Sequence, residues 1–155
     1  MDAYPHHYEV RALAQAEGSV ALSSERLPSL ESASPLQFGG PGDKWSPETL
    51  LVAAAADCLI LTFRAIARAS KLPWVSLDCD AEGVLDRVDG VTRFTAIRVN
   101  ARLVLPAGGD VERGRRLLEK AEKSCLITSS LKAESALTAE VTIAAGLALG
   151  GRNSV

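Results

Sequence analysis

The sequence predicts an α+β domain, in which antiparallel sheets pack against a long helix and a shorter one. Three observations carry this prediction: a long apolar segment bounded by helix start and stop signals, several segments in which apolar and polar residues alternate, and the order of these segments along the chain. At 155 residues the chain has the length of one ordinary domain. We therefore predict a single domain over residues 1–155.

The predicted elements follow one another without a linker or an internal repeat. They are N-terminal strands within 8–40, a long helix at 46–70, a strand hairpin at 74–105, helices within 110–131 and a last strand at 135–144. Asp89-Gly90 is a typical two-residue hairpin turn. Asp110 is a suitable cap for the helix that follows it.

The long helix has clear boundaries. Ser46 can accept hydrogen bonds from free amides at the helix start, Pro47 fits the first helical position, and Glu48 suits the positive end of the helix dipole. The helix is apolar nearly all the way round, so it must be surrounded by other apolar groups. In a chain this small, a second subunit is the expected source of that cover.

Composition excludes several classes of protein. The formal net charge is −2 and no basic cluster is present, which argues against a nucleic-acid partner. Asp57 and Arg64 interrupt the only candidate membrane segment, so we predict no membrane association. The first ten residues lack the basic and apolar regions of a signal peptide, which predicts a cytoplasmic protein.

The three cysteines are expected to be free thiols, because their number is odd and no secretory signal is present. Cys79 shares one face of a predicted strand with Val75 and Leu77, which indicates a core position. Cys58 and Cys125 each allow two interpretations. Both can be buried core residues, or they can form a reactive pair in which a peroxide oxidises one sulfur to a sulfenic acid and the other condenses with it.

The surroundings of the two cysteines differ in the sequence. We expect Ser124 to cap a short helix and Cys125 to gain thiolate stabilisation from the free amides at its start. Cys58 lies about three turns into the long helix and should need a cation instead. Asp57 would raise the pKa of a neighbouring thiol, so we expect it to turn away and pair with a cation such as Arg64 or Arg68.

Two other kinds of site have little support. No Cys-x-x-Cys is present and the two histidines, His6 and His7, lie near the N-terminus, so we predict no metal site. A Gly-x-Ser-x-Gly motif of serine hydrolases is also absent from the sequence.

Two segments resemble a known family, the osmotically induced protein C and organic hydroperoxide resistance (OsmC/Ohr) proteins. They are GGPGDKWSPETLLVAAAADC, from Gly39 to Cys58, and EKAEKSCLITSSLKAE, from Glu119 to Glu134. The first is similar to the family's Gly-rich turn, helix start and first cysteine, and the second to its second-cysteine segment. The resemblance covers about residues 8–144, and it implies an OsmC-like fold in an intertwined homodimer with long central helices.

The resemblance also implies roles for individual residues. Cys58 is similar to the peroxidatic cysteine, Cys125 to the resolving cysteine, and Glu48 to the carboxylate that orients an arginine against the thiolate. That arginine is where the sequence departs from the family pattern, because Ser19 and Gln37 stand near its usual places. Arg26 is the nearest candidate.

The implied activity is reduction of organic hydroperoxides, and more slowly of hydrogen peroxide, with an external thiol as reductant and no cofactor. The competing expectation is a protein of the same fold that binds a small apolar ligand in an interface pocket and has unreactive cysteines. The missing arginine favours this second expectation.

Overall fold

A computed structural model of the chain describes residues 3–145. The elements are β1 (Arg11–Leu13), β2 (Val20–Ser23), β3 (Leu30–Ser32), α1 (Pro47–Ala69), β4 (Ser76–Val88), β5 (Val91–Leu105), α2 (Val111–Lys123), α3 (Leu126–Ser129) and β6 (Glu134–Ile143). The predicted α+β class is confirmed, with two sheets and few helices. The described residues form two compact units that divide between Leu51 and Val52, inside α1. The ends of the predicted domain, residues 1, 2 and 146–155, lie outside the described residues.

The first unit contains a small antiparallel sheet. Its strand order is β1-β2-β3, and each strand pairs with its neighbour along the chain. Gly18 adopts a left-handed conformation, with φ 95°, between β1 and β2. Glycine adopts this conformation without steric cost, so Gly18 suits the connection between the two strands.

The start of α1 shows the predicted cap. The backbone N–H of Thr49 donates to Ser46 Oγ at 3.2 Å, and the backbone N–H of Ser46 donates to Thr49 Oγ1 at 2.8 Å. Each side chain therefore satisfies an amide that the helix leaves free, with a threonine where a glutamate often stands. Pro47 occupies the first helical position and Glu48 the first turn, as predicted.

The second unit is built on the sheet β4-β5-β6. β4 and β5 form an antiparallel hairpin, closed by Asp89 (φ 52°) and Gly90 (φ 79°), which confirms the predicted turn. β6 pairs with β5 in parallel, so the prediction of antiparallel sheets is wrong for this strand. One sheet face carries charged residues, including Asp78, Asp80 and Arg102, while the opposite face contributes to the core.

The core of the second unit lies among α1, α2 and this sheet. Its buried hydrophobic residues are Ala55, Leu59, Phe63, Ala67, Leu72, Ile97, Val99, Ala101, Leu103, Leu105, Leu118, Ala121 and Val141. The α1 members recur every four residues, so they form a single stripe along that helix. Phe63 meets the ring of Trp74 edge-on, with 5.6 Å between ring centroids.

The predicted α2 is confirmed from cap to buried face. Asp110 Oδ1 accepts a hydrogen bond from the backbone N–H of Arg113 at 2.9 Å. Gly114 allows close packing, because an added Cβ would lie 3.2 Å from side-chain atoms of both Leu103 and Val141. These contacts hold the N-terminal half of α2 against the sheet.

Only one stripe of α1 is buried, although the helix is apolar on several sides. Leu61, for example, retains 49% of its exposure. By length and composition alone, this helix also meets the requirements of a membrane span despite Asp57 and Arg64, as core helices of soluble proteins often do. These two charges therefore do not exclude a span by themselves, and the absence of a membrane partner stays a prediction.

One expectation for the hairpin is wrong. Val75 lies just before β4 and is 58% exposed, so it does not share the inward face of Leu77 and Cys79. Its backbone N–H pairs with the carbonyl of Val104, but this edge position leaves its side chain outside the core.

Candidate functional site

The candidate site lies where α2 ends and α3 begins. Ser124 is the C-cap of α2, and its backbone N–H donates to the carbonyls of Lys120 and Ala121. The residue that precedes α3 is Cys125, in extended conformation with φ −68° and ψ 116°. The prediction that Ser124 caps the short helix is therefore wrong, because its backbone still belongs to the end of α2.

Cys125 does not cap α3 with its own side chain. The first amides of α3 are consequently free to meet another acceptor. The thiol of Cys58 lies near these amides, and its interaction with the backbone N–H groups of Ile127 and Leu126 lowers its pKa. The tertiary fold thus brings the middle of α1 to the start of α3.

The Cys58 sulfur has two further partners, both side chains. The Thr62 hydroxyl oxygen lies 3.9 Å from the sulfur, and the Cys125 thiol also lowers the pKa of Cys58. Thr62 follows Cys58 by four residues, so both project from the same face of α1. The structure therefore places the two predicted cysteines side by side, both as free thiols.

These contacts change the acidity of Cys58. Partial burial raises the pKa of its thiol, but the hydrogen bonds from Ile127, Cys125, Thr62 and Leu126 together lower it more, so the net shift is downward. The sequence predicts that a cation is needed for this shift. The groups that lower the pKa are instead backbone amides, a hydroxyl and a thiol.

Cys125 is far less accessible than Cys58. It retains 1% of its exposure, whereas Cys58 is only partly buried. Cys58 is therefore the more exposed residue of the two. The amides of Leu126 and Ile127, which the sequence assigns to Cys125, interact with Cys58.

Glu48, the predicted carboxylate, lies ten residues before Cys58 on α1, or about 15 Å along the helix axis. Its Oε2 atom is shielded from solvent and has no hydrogen-bond partner within residues 3–145. A buried carboxylate oxygen without a donor is costly. The described residues leave this oxygen without the donor that its burial calls for.

Arg26, the predicted arginine, belongs to the first unit and is not a hydrogen-bond partner of Glu48 there. Arg26 has a positive φ of 63° in the connection between β2 and β3, and its side chain is 89% exposed. Its guanidinium pairs with Glu25 at 3.2 Å.

Asp57 is exposed, as expected for a side chain turned away from Cys58. Its predicted ion pair with Arg64 or Arg68 is wrong, since neither arginine pairs with it in the described part of the chain.

Cys79 lies on β4, opposite Ala101 of β5, and packs against the core. Burial, and then the neighbouring carboxylates of Asp78 and Asp80, raise its pKa to about 11, with Arg102 acting in the opposite direction. At neutral pH its thiol is protonated. These properties agree with the predicted structural role.

Sequence reasoning missed three members of the site. Thr62 could have been found from its i+4 spacing to Cys58 on a helix that was correctly predicted. The amides of Leu126 and Ile127 left no signal that connects them with α1, because a backbone N–H is present at almost every position.

Among the described residues, no group of three or more His, Cys, Asp or Glu is placed to hold a metal ion.

Comparison with known proteins agrees with this architecture. Residues 40–140 match the family model of the OsmC-like proteins. A Bacillus subtilis (strain 168) relative, Uncharacterized protein YmaD, is 30% identical over 115 residues, which cover 72% of this chain and 77% of the relative.

Solved structures share the fold at lower identity. An OsmC-like protein of unknown function from Vibrio cholerae superimposes with a TM-score of 0.80 at 16% identity, covering 88% of this chain and all of that one. An organic hydroperoxide resistance protein OsmC from Legionella pneumophila superimposes with a TM-score of 0.67 at 20% identity, covering 92% of this chain and all of that one. The chain belongs to the OsmC-like protein family.

Proposed function

We propose that the protein is a cysteine-based hydroperoxide reductase, in which Cys58 attacks the peroxide and Cys125 resolves the product. The observation that carries this proposal is the contact between the two thiols at the start of α3, with the pKa of Cys58 lowered there. A structural relative from Legionella pneumophila is named an organic hydroperoxide resistance protein, which is consistent with such chemistry.

The reaction needs two successive displacements at sulfur. The Cys58 thiolate attacks one peroxide oxygen, the O–O bond breaks, and the alcohol leaves after taking up a proton. Cys58 is thereby oxidised to a sulfenic acid. Cys125 then attacks the Cys58 sulfur, a disulfide forms and water leaves. An external thiol supplies the two electrons that restore both thiols, and no bound cofactor takes part.

The order of the two cysteines follows from their surroundings. Only the thiolate is nucleophilic, and Cys58 has both the lowered pKa and the greater exposure. Cys125 is buried but within hydrogen-bonding contact of Cys58, which suits a thiol that reacts only with an oxidised neighbour.

An apolar organic hydroperoxide is the preferred substrate in this proposal. Leu126, whose backbone N–H contacts the Cys58 thiol, is 74% exposed. Its side chain adds apolar surface at the mouth of the site, and apolar burial favours an organic peroxide over hydrogen peroxide.

We propose further that the functional form is an intertwined homodimer. Exposed apolar side chains on α1, such as Leu61, favour association with a second copy. The unpartnered Oε2 of Glu48 also calls for a donor from outside the described chain, and an arginine of the partner, with Arg26 as the candidate, would supply it. Sedimentation at micromolar concentration tests this state, and a stably folded monomer would contradict it.

The reactive roles are tested with three variants and a sulfenic-acid probe. After one equivalent of cumene hydroperoxide, Cys125→Ser should stop at the sulfenic acid, which a dimedone-type reagent traps on Cys58. Cys58→Ser should consume no peroxide. Cys79→Ser is the matched control and should keep turnover, since its sulfur lies elsewhere in the sheet.

If the wild-type protein keeps both thiols through a large excess of organic hydroperoxide, the reductase proposal fails. The site would then fit a protein that binds a small apolar ligand and does not react with it.

A further inference from the structure

We propose that Thr62 is a working member of the site, whose hydroxyl donates a fixed hydrogen bond to the sulfur of Cys58 and stabilises it as a thiolate. The role rests on the proposed reactivity of Cys58. It is carried by the geometry of α1 and by the absence of any competing acceptor for this hydroxyl.

The geometry is set by the helix. Residues four apart lie one above the other on an α-helix, and Thr62 Oγ1 lies 3.9 Å from Cys58 Sγ, within hydrogen-bonding range for sulfur. In the neutral pair either atom can donate the proton. Once Cys58 ionises, only the hydroxyl carries a proton, so Thr62 becomes the donor and the bond becomes charge-assisted.

The Thr62 hydroxyl has no other partner in residues 3–145. Helical serines and threonines usually donate to a carbonyl three or four residues earlier. Thr128 and Ser130 do so near the site, with donation to the carbonyls of Cys125 at 3.4 Å and Leu126 at 2.7 Å. Thr62 makes no such bond to a carbonyl in the described residues, so its hydroxyl can bond to the Cys58 sulfur.

Thr62 also differs from the other donors around Cys58. The amides of Leu126 and Ile127 belong to the backbone, and Cys125 is itself changed in the proposed reaction. Among the described groups that act on Cys58, Thr62 is therefore the side-chain donor that stays chemically unchanged throughout the proposed reaction. Its partial burial limits competition from water.

The experiment measures the ionisation of Cys58 directly. The rate of iodoacetamide alkylation at Cys58 is followed against pH by peptide mass spectrometry for wild type, Thr62→Val and Thr62→Ser. Thr62→Val keeps the shape but removes the hydroxyl. The pH midpoint of its alkylation should move upward. The rate at pH 7 should be about threefold to tenfold slower, since the loss of one hydrogen bond to a charged group is partly offset by the greater nucleophilicity of a more basic thiolate. Thr62→Ser should stay within about twofold of wild type.

Thr95→Val is the matched control, because the Thr95 hydroxyl donates to the carbonyl of Val84 at 3.3 Å, in the β4-β5 hairpin. In this variant the pH midpoint of Cys58 alkylation should equal that of wild type. An unchanged midpoint in Thr62→Val, or the same shift in Thr95→Val, would overturn the inference. If Thr62→Val does not fold, Thr62→Ala provides the same comparison.

Peroxide consumption by the wild type, measured in parallel, separates this inference from the proposed function. A shifted midpoint in Thr62→Val together with a wild type that consumes no peroxide would reject the reductase and keep the Thr62 contact. Peroxide turnover with an unshifted midpoint would reject Thr62 alone.

Discussion

Raising the pH in the presence of a limiting amount of iodoacetamide should label Cys58 well before Cys79. At pH 8 a thiol with the ordinary pKa of 9.0 is about one-tenth ionised, and Cys58 lies below that value. Cys79, with a pKa of about 11, is about one-thousandth ionised. The populations of thiolate therefore differ by at least about 100-fold.

The difference in rate is smaller than the difference in population. A more basic thiolate is a better nucleophile, with a Brønsted slope of about 0.4–0.5, which returns about eightfold to Cys79 over two pKa units. Cys58 should still react at least about tenfold faster, and the partial burial of Cys79 adds to that ratio.

The assay quantifies the labelled peptides after short exposure at pH 8, with the denatured protein as control. In denaturant the two cysteines should react at similar rates. Equal labelling of Cys58 and Cys79 in the folded protein would refute the assignment of the α3 amides as the source of Cys58 acidity.

Three further predictions concern the frame that holds the site. Because the pKa of Cys79 is raised in the folded state, the unfolded chain loses the Cys79 proton at lower pH than the folded chain does. The free energy of unfolding should therefore fall as pH rises from about 9 to 11. Cys79→Ala should remove this pH dependence in denaturant melts. Asp110→Ala deletes the acceptor for the Arg113 amide and should cost about 0.5–2 kcal/mol by the same melts. Phe63→Ala removes a fully buried ring from its contact with Trp74 and should cost about 3–5 kcal/mol, and a loss below 1 kcal/mol would contradict the core described above.

Much of the fold could be predicted because its signals are local. The Ser46-Pro47 start of α1, the Asp89-Gly90 turn and the Asp110 cap each depend on residues within a few positions of one another, and each is confirmed. The cap of α3 was misplaced by one residue for a local reason as well. Ser124 is a common capping type, but its amide is already held by the last turn of α2.

The site was harder to predict because its contacts are distant in sequence. The resemblance to a family singled out Cys58 and Cys125, but it could not show that the amides after Cys125 face Cys58. The sequence therefore predicts a cation beside Cys58, whereas the groups that lower its pKa are amides, a hydroxyl and a thiol. Thr62 was overlooked although helical spacing alone connects it with Cys58.

The central claim is that Cys58 and Cys125 react as a pair, and a single turnover of the wild-type protein tests it most directly. One equivalent of cumene hydroperoxide should lower the intact mass of each chain by two hydrogen atoms. Digestion without reductant should then yield one peptide in which Cys58 and Cys125 are linked, while Cys79 remains free. An unchanged mass, or a link that involves Cys79, would contradict the account.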